Sequence, residues 1–361
     1  MRCKLPSAIS IATLLALSLV AIVGCGGGSP SGNGSSDGST EVPRFISLGT
    51  APVGGAFYQV GAAISDALNE GSDVGGWRQV TAESTAGTLE NLRRLDSNEI
   101  QIAMANSSIT YFAVRGEEGF KKKHDVKSIM TLFPLIAMFV TKEGSGVKSI
   151  ADLKGKRVVV GPEGAGFEYF VRPILREHGL TDYGKDFEVV NAGMQTSVGY
   201  LQDESVQATF LGGGAKSGAI TSAASSMNIL LVPYGASERA SIADKYPSFS
   251  KKSVKGGTYK GQTEEFPSLN VGSAHLLVRS DTGEEIVYRM TKIIYEGREK
   301  VAEKHAGGKA INPKNVVVNT GTEFHPGAIR YYQEIGIWPE VGASAATAGE
   351  TTAKEAETKE G

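Results

Sequence analysis

Five stretches of the chain put glycine, hydroxyl or other small residues where an apolar run stops and an amphipathic one starts. The first is Gly49-Thr50-Ala51-Pro52-Val53-Gly54-Gly55-Ala56-Phe57-Tyr58, after the apolar Phe45–Leu48 and ahead of Ala63, Ile64, Ala67 and Leu68 at helical spacing. The second is Thr85-Ala86-Gly87, the third Asn106-Ser107-Ser108, and the fourth Glu163-Gly164-Ala165-Gly166-Phe167. Gly213 and Gly214, with Lys216 close behind, make a fifth candidate wall. A strand that delivers such a loop onto a helix start leaves N–H groups unpaired and pointing outward, which suits an anionic or polar ligand group. One loop alone is equally well explained as a tight turn that needs glycine for its backbone. Repetition favours one shared cleft, because in open α/β sheets the ligand crevice lies at the carboxyl ends of the strands.

In that cleft an anion would be held by N–H groups and hydroxyls at Thr50, Thr85, Ser107 and the Gly164–Gly166 helix start. Phe57, Tyr58 and Phe167 would supply an apolar wall. Lys216 is the cation most readily placed near a carboxylate, and its alternative is a solvent-facing loop lysine. Catalysis has little to draw on. The five histidines, His124, His178, His275, His305 and His325, form no metal-ligand spacing, and neither H-E-x-x-H nor G-x-S-x-G occurs. Glu163 and Glu168 belong to no paired constellation. His325 reads as a cap or packing residue of the last helix, and neither a cofactor nor a metal is expected.

The elements that carry these stretches alternate between strand and helix. Strands are expected at Trp77–Ala82, Ile100–Met104, Lys156–Val160, Phe187–Asn191, Val206–Leu211, Ile229–Val232 and Ala274–Val278. Thr85 is the expected N-cap of a helix carrying Leu89, Leu92 and Leu95. The long apolar run Ile129–Thr141 contains Pro134 and is expected to break there. Ser149 to Asp152 carries a capping-box signature. Lys245–Pro267 reads as loop, and Glu285–Lys304 as one amphipathic helix.

Both ends lie outside this pattern. Arg2 and Lys4 precede an apolar run from Ile9 to Val23, and Ile22-Val23-Gly24-Cys25 follows, the outline of a secretory signal peptide over 1–24. The tetrapeptide resembles the lipobox of bacterial lipoproteins, which makes Cys25 the lipid attachment point; an uncleaved N-terminal anchor is the alternative. Residues 25–43 read as a flexible tether and 341–361 as a disordered tail. Cys3 and Cys25 are the two cysteines of the 361-residue chain, so no disulfide framework is expected in the folded part. With 37 basic and 39 acidic residues intermixed, no basic stripe appears, and nucleic acid is not an expected partner.

Four motifs together resemble the TAXI-type solute-binding proteins of TRAP transporters, over about Phe45 to Trp338. They are Gly49-Thr50…Gly54-Gly55-Ala56-Phe57-Tyr58; Gly87…Asn91-Leu92 with Ile100-Gln101-Ile102-Ala103; Ile150-Ala151-Asp152-Leu153-Lys154-Gly155-Lys156-Arg157-Val158 running into Val160-Gly161…Gly164-Ala165-Gly166; and His325-Pro326-Gly327-Ala328…Tyr331-Tyr332-Gln333-Glu334-Ile335-Gly336. The resemblance implies a two-lobed periplasmic binding protein fold of the α/β class, type II-like, with mixed sheets flanked by helices and a ligand cleft between lobes. The lobes would be 44–138 with 274–340, and 139–273. It also implies capture of a small carboxylate-type solute by lobe closure and delivery to a TRAP-type membrane permease. The chain departs from the family pattern at Ala51-Pro52-Val53, Leu135, Ala165 and Lys216, so glutamate is not carried over as the solute. An ABC-importer-type or sensory lipoprotein of the same fold is the alternative.

Overall fold

A computed structural model describes residues 42–53, 55–214 and 216–339. The signal peptide, Cys25, most of the tether, Gly54, Ala215 and the C-terminal tail are outside the described residues. In chain order the first elements are β1 (Phe45–Gly49), α1 (Ala56–Glu70), α2 (Ser72–Gly75), β2 (Gln79–Glu83), α3 (Thr88–Asp96), β3 (Ile102–Asn106), α4 (Ser107–Arg115) and β4 (Val126–Lys142). Next come β5 (Arg157–Gly161), α5 (Glu168–Glu177), β6 (Glu188–Asn191), α6 (Met194–Gln202), β7 (Ala208–Gly213), α7 (Gly218–Ser226) and β8 (Ile229–Leu231). The chain closes with α8 (Ala236–Lys245), β9 (Ser250–Val254), β10 (Phe266–Arg279), α9 (Glu284–Glu296), α10 (Arg298–Lys304) and α11 (Pro326–Glu334).

All ten strands join one mixed sheet in the order β2-β1-β3-β10-β4-β7-β5-β6, with β8 on β4 and β9 on β10. β1, β2 and β3 run parallel to one another, as do β5, β6 and β7. β10 is antiparallel to β3 and to β4, and β4 is antiparallel to β7. The two parallel sets therefore run in opposite directions, each beside one end of the long β4–β10 pair. Each set with its helices is one lobe of an α/β, two-lobed fold; the expected lobe boundaries at 138/139 and 273/274 fall inside β4 and β10.

Burial explains why these runs fold as they do. β3 is buried at all five positions, the pattern of a central strand covered on both faces. On one face of lobe 1, α1, α9 and α11 pack Ile64, Leu68, Met290, Ile294, Tyr331 and Tyr332 against β1, β3 and β10. The other core joins Leu92, Leu95 and Ile109 of lobe 1 to Val159, Phe170, Phe210 and Leu211 of lobe 2.

Several expectations are corrected. Pro134 does not break β4. It faces Ser273 where the β4–β10 register slips, and β7 pairs with β4 only from Ile136 onward, so its missing N–H interrupts no regular ladder. The Lys245–Pro267 stretch contains β9, an edge strand with exposed Lys251 and Lys252. A lysine-bearing edge with one buried residue has no apolar alternation to read. The Glu285–Lys304 helix is two helices, interrupted at Gly297. The capping box at Ser149 and Asp152 is present on a short 3-10 turn.

Candidate functional site

The register brings the carboxyl ends of both parallel sets to the same level of the β4–β10 pair. Asn106 at the end of β3 faces Ala274, and Gly213 at the end of β7 faces Ile136. Between them Pro134 faces Ser273 and Ile136 faces Asn270. Loops leaving opposed strand ends must then meet across the middle of the sheet, and they do. A Cβ built on Gly87 would lie 3.9 Å from the carbonyl oxygen of Ala165, and one on Gly166 would lie 2.9 Å from Leu89 Cγ and 3.0 Å from Ile109 Cδ1.

On the lobe 1 side most of the candidate polar groups are bonded to one another. Thr50 is fully buried, and its N–H and hydroxyl both donate to the Glu83 carbonyl, at 3.0 and 2.6 Å. Thr85 is not the N-cap of α3, a place taken by Gly87. Its hydroxyl donates to the Thr50 carbonyl at 3.0 Å and accepts the Gly87 N–H at 3.1 Å, which turns the chain one residue later. The Ala86 N–H donates to the Glu90 carboxylate at 2.7 Å, so an internal anion already sits at this helix start.

Asn106 is the true N-cap of α4: its Oδ1 accepts from the N–H groups of Ser108 and Ile109, and its Nδ2 donates to the carbonyls of Val271 and Gly272. Ser107 Oγ accepts the Ser273 N–H at 2.9 Å. Ser108 is fully buried, and its hydroxyl has no hydrogen-bond partner among the described residues. Gly272 has φ +109, and a Cβ there would stand 2.4 Å from Asn106 Oδ1 and 2.7 Å from Ser108 Oγ. The bulge that lets β10 past Pro134 therefore requires glycine.

On the lobe 2 side α5 follows Phe167 and α6 follows Gly193 without a side-chain cap, as α1 follows Gly55 and α3 follows Gly87 in lobe 1. Glu163 and Gly164 are exposed, Ala165 and Gly166 buried. The Phe167 ring lies over Gly161 and packs on Phe170, with centroids 4.9 Å apart. Asn191 Nδ2 donates to the Gly161 carbonyl and closes the end of β5. Gly213 and Gly214 are half-buried and Lys216 is exposed, while Ser217 caps α7 through Ile220 N–H.

Gly49 ends β1, where a Cβ would stand 2.7 Å from Asn91 Oδ1, and Gly55 precedes α1. Phe57 packs edge-on to Phe133 at 6.1 Å, so that ring belongs to the β4 side, and Tyr58 is half-buried on the same helix turn.

Sequence reasoning missed Asn91, Thr88 and Asn270. Asn91 Nδ2 donates to the carbonyls of Thr50 and Met104, Thr88 Oγ1 accepts the Asn106 N–H, and Asn270 Oδ1 accepts the Leu135 N–H. Asn91 lies within a motif noted above; Asn270 stands in an apolar run with no local signal. His325 caps α11 by accepting the Gly327 N–H at Nδ1, and burial lowers its pKa. Among the described residues no cluster of His, Cys, Asp and Glu is arranged to hold a metal, and no helix is long and apolar enough to cross a membrane.

Two glycine-lined strand sets facing each other across a pair of shared strands meet a family comparison that spans the whole site. The NMT1-like family matches residues 48–336. The chain belongs to the NMT1-like family. The match covers every candidate binding residue and all four motifs quoted above.

This NMT1-like protein is also similar to several solved structures. One is the periplasmic aliphatic sulphonate binding protein SsuA from Escherichia coli, at 14% identity, covering 82% of this chain and 84% of that one with a TM-score of 0.47. Another is a binding protein component of an ABC phosphonate transporter from Pseudomonas aeruginosa, at 11% identity, 73% and 78% coverage and a TM-score of 0.46. A third is a putative L-cystine ABC transporter from Listeria monocytogenes, at 12% identity, 74% and 97% coverage and a TM-score of 0.45. Likenesses of this degree carry no argument about the ligand.

Proposed function

We propose that this protein is the extracytoplasmic solute-binding component of a membrane importer, closing its lobes on a small anionic solute and passing it to a permease. The observation that carries this reading is the meeting of oppositely directed strand ends at Asn106/Ala274 and Gly213/Ile136. A cleft of this kind opens and closes by changes confined to the two strands that run through both lobes.

The anionic end of the solute belongs on the lobe 2 side. The α3 start in lobe 1 already holds the Glu90 carboxylate, whereas α6 follows Gly193 with no side-chain cap and α5 is likewise uncapped, its Tyr169 and Phe170 N–H groups bonded to the Gly166 and Phe167 carbonyls. Fixed N–H groups at a helix start hold a charge with little ordering cost. Thr50, Thr85 and Asn106 brace the opposite wall. Phe57, Tyr58 and Phe167 flank the solute's apolar part, and Lys216 sits at the rim. Binding without turnover is the proposed activity.

A TRAP-type permease is the specific partner suggested by the four motifs. An ABC-type permease is the second reading, since two of the similar solved structures carry ABC transporter names. Export through residues 1–24 and a lipid anchor at Cys25 complete the proposal.

The test is a thermal-unfolding screen against carboxylates, amino acids, sulfonates and phosphonates, on protein stripped of co-purified ligand. A solute that binds only the folded state adds about 2.7 kcal/mol at one hundred times its Kd. A saturable rise with one class supports the reading and names that class; chemical conversion of the solute would contradict it. Transport by vesicles carrying a TRAP-type or an ABC-type permease, with and without ATP, separates the two partners.

A further inference from the structure

Lobe 2 holds a cavity of about 170 Å³ away from the strand ends, lined by Arg172, Arg176, Thr181, Asp182 and Tyr183 over a leucine floor. Its charges are unevenly satisfied. Arg176 turns its guanidinium to Glu118 of lobe 1, with Nη1–Oε1 at 3.0 Å and Nη2–Oε2 at 2.9 Å. The Asp182 carboxylate takes Lys185 Nζ at 3.0 Å. Arg172 has no such partner among the described residues. Its guanidinium carbon lies 4.3 Å from the centroid of the Tyr183 ring, and its Nε is buried without a hydrogen-bond partner among the described residues. Burial raises the pKa of the Tyr183 phenol, so that ring stays neutral and brings no countercharge. Glu168, one turn earlier on α5, is the nearest carboxylate along the helix.

A guanidinium held over an aromatic ring keeps its planar fork of donors for a multi-bond contact, and an oxyanion is what matches them. Thr181 adds a hydroxyl on the same lining, while the Arg176 charge is already met by Glu118. With a water occupying about 30 Å³ of liquid, the cavity has room for a tetrahedral oxyanion with some of its hydration.

We propose that this cavity is a second, oxyanion-binding site, centred on Arg172 and Thr181 and separate from the interlobe cleft. It stands independently of the transport reading, since none of its lining residues is a cleft candidate.

The test is calorimetric titration of the full chain with inorganic phosphate, at ionic strength held constant with chloride. Saturable binding is expected, weakened about tenfold or more in Arg172→Gln, the loss of a charge-assisted hydrogen bond. Thr181 is exposed, so Thr181→Val keeps the fold and should weaken binding severalfold even if the arginine variant folds poorly. No saturable heat above the chloride control would overturn the proposal. So would phosphate binding indifferent to both substitutions, which would put the anion in the interlobe cleft and leave Arg172 as a packing partner of Tyr183.

Discussion

The ends of β2 and β3 in lobe 1 and the ends of β5 and β6 in lobe 2 are written in similar residues and differ in how far their side chains bond to the wall itself. In lobe 1, Thr50, Thr85, Asn91 and Asn106 bond to backbone across neighbouring strand ends, and Glu90 occupies the Ala86 amide. In lobe 2 the corresponding bond is Asn191 Nδ2 to the Gly161 carbonyl, and α5 and α6 start without caps, as α1 and α3 do in lobe 1. Hydroxyls and amides at a junction are thus as apt to finish the protein's own wall as to meet a solute. A wall that satisfies itself costs nothing to reorganise when a solute arrives; an uncapped one supplies the donors.

The comparison can be strained most by acid. Burial alone pushes His275, on β10, down to about 3, with its Nε2 2.9 Å from Thr110 Oγ1. Its folded pKa is below the unfolded value, so the unfolded chain binds the extra proton and stability falls as pH drops. The loss should approach about 1.4 kcal/mol per pH unit between about 6.5 and 3. Urea unfolding across that range checks this, and a His275→Gln variant should show a flatter slope.

Next in size is Gly166→Val. At φ +84, with Leu89 and Ile109 within about 3 Å of any Cβ, it should cost about 2 kcal/mol or more and hold the lobes apart, read as a larger radius of gyration in solution scattering. Asn106→Ala removes a cap and two bonds to the β10 bulge, and should cost about 2 kcal/mol in urea unfolding. The smallest effect belongs to Glu118→Gln at the lobe seam. Removing that ion pair with Arg176 should lower stability by about 0.2–1 kcal/mol, and less in high salt.

Much of this was legible beforehand, and the exceptions have physical causes. Junctions such as Gly49-Thr50 and Gly161–Phe167 announce themselves because a period change and a glycine fall together. The β4–β10 pair did not, since Pro134 argues against a continuous strand until its partner's bulge at Gly272 is known. β9 was invisible because an edge strand buries one residue and shows the rest to solvent. At the site, the sequence marks which residues stand at strand ends but not which way their hydrogen bonds run. Thr85 illustrates this: its type suits a cap, a ligand donor or a brace to Thr50, and tertiary context made it a brace.

On the proposed reading, the lobe 2 junctions hold the solute against a self-bonded lobe 1 wall. Once the screen names a solute, its affinity should be measured by calorimetry in Gly164→Val and Thr85→Val. Gly164 has φ +72 with nothing within 4 Å of a built Cβ, so valine there distorts the donor loop without crowding the core. A large loss of affinity is expected in Gly164→Val, beyond the roughly 1–2 kcal/mol of backbone strain that valine meets at positive φ. Thr85→Val should instead lower the melting temperature and keep near-native affinity at temperatures where the protein is folded. Affinity lost in Thr85→Val and kept in Gly164→Val would contradict that reading.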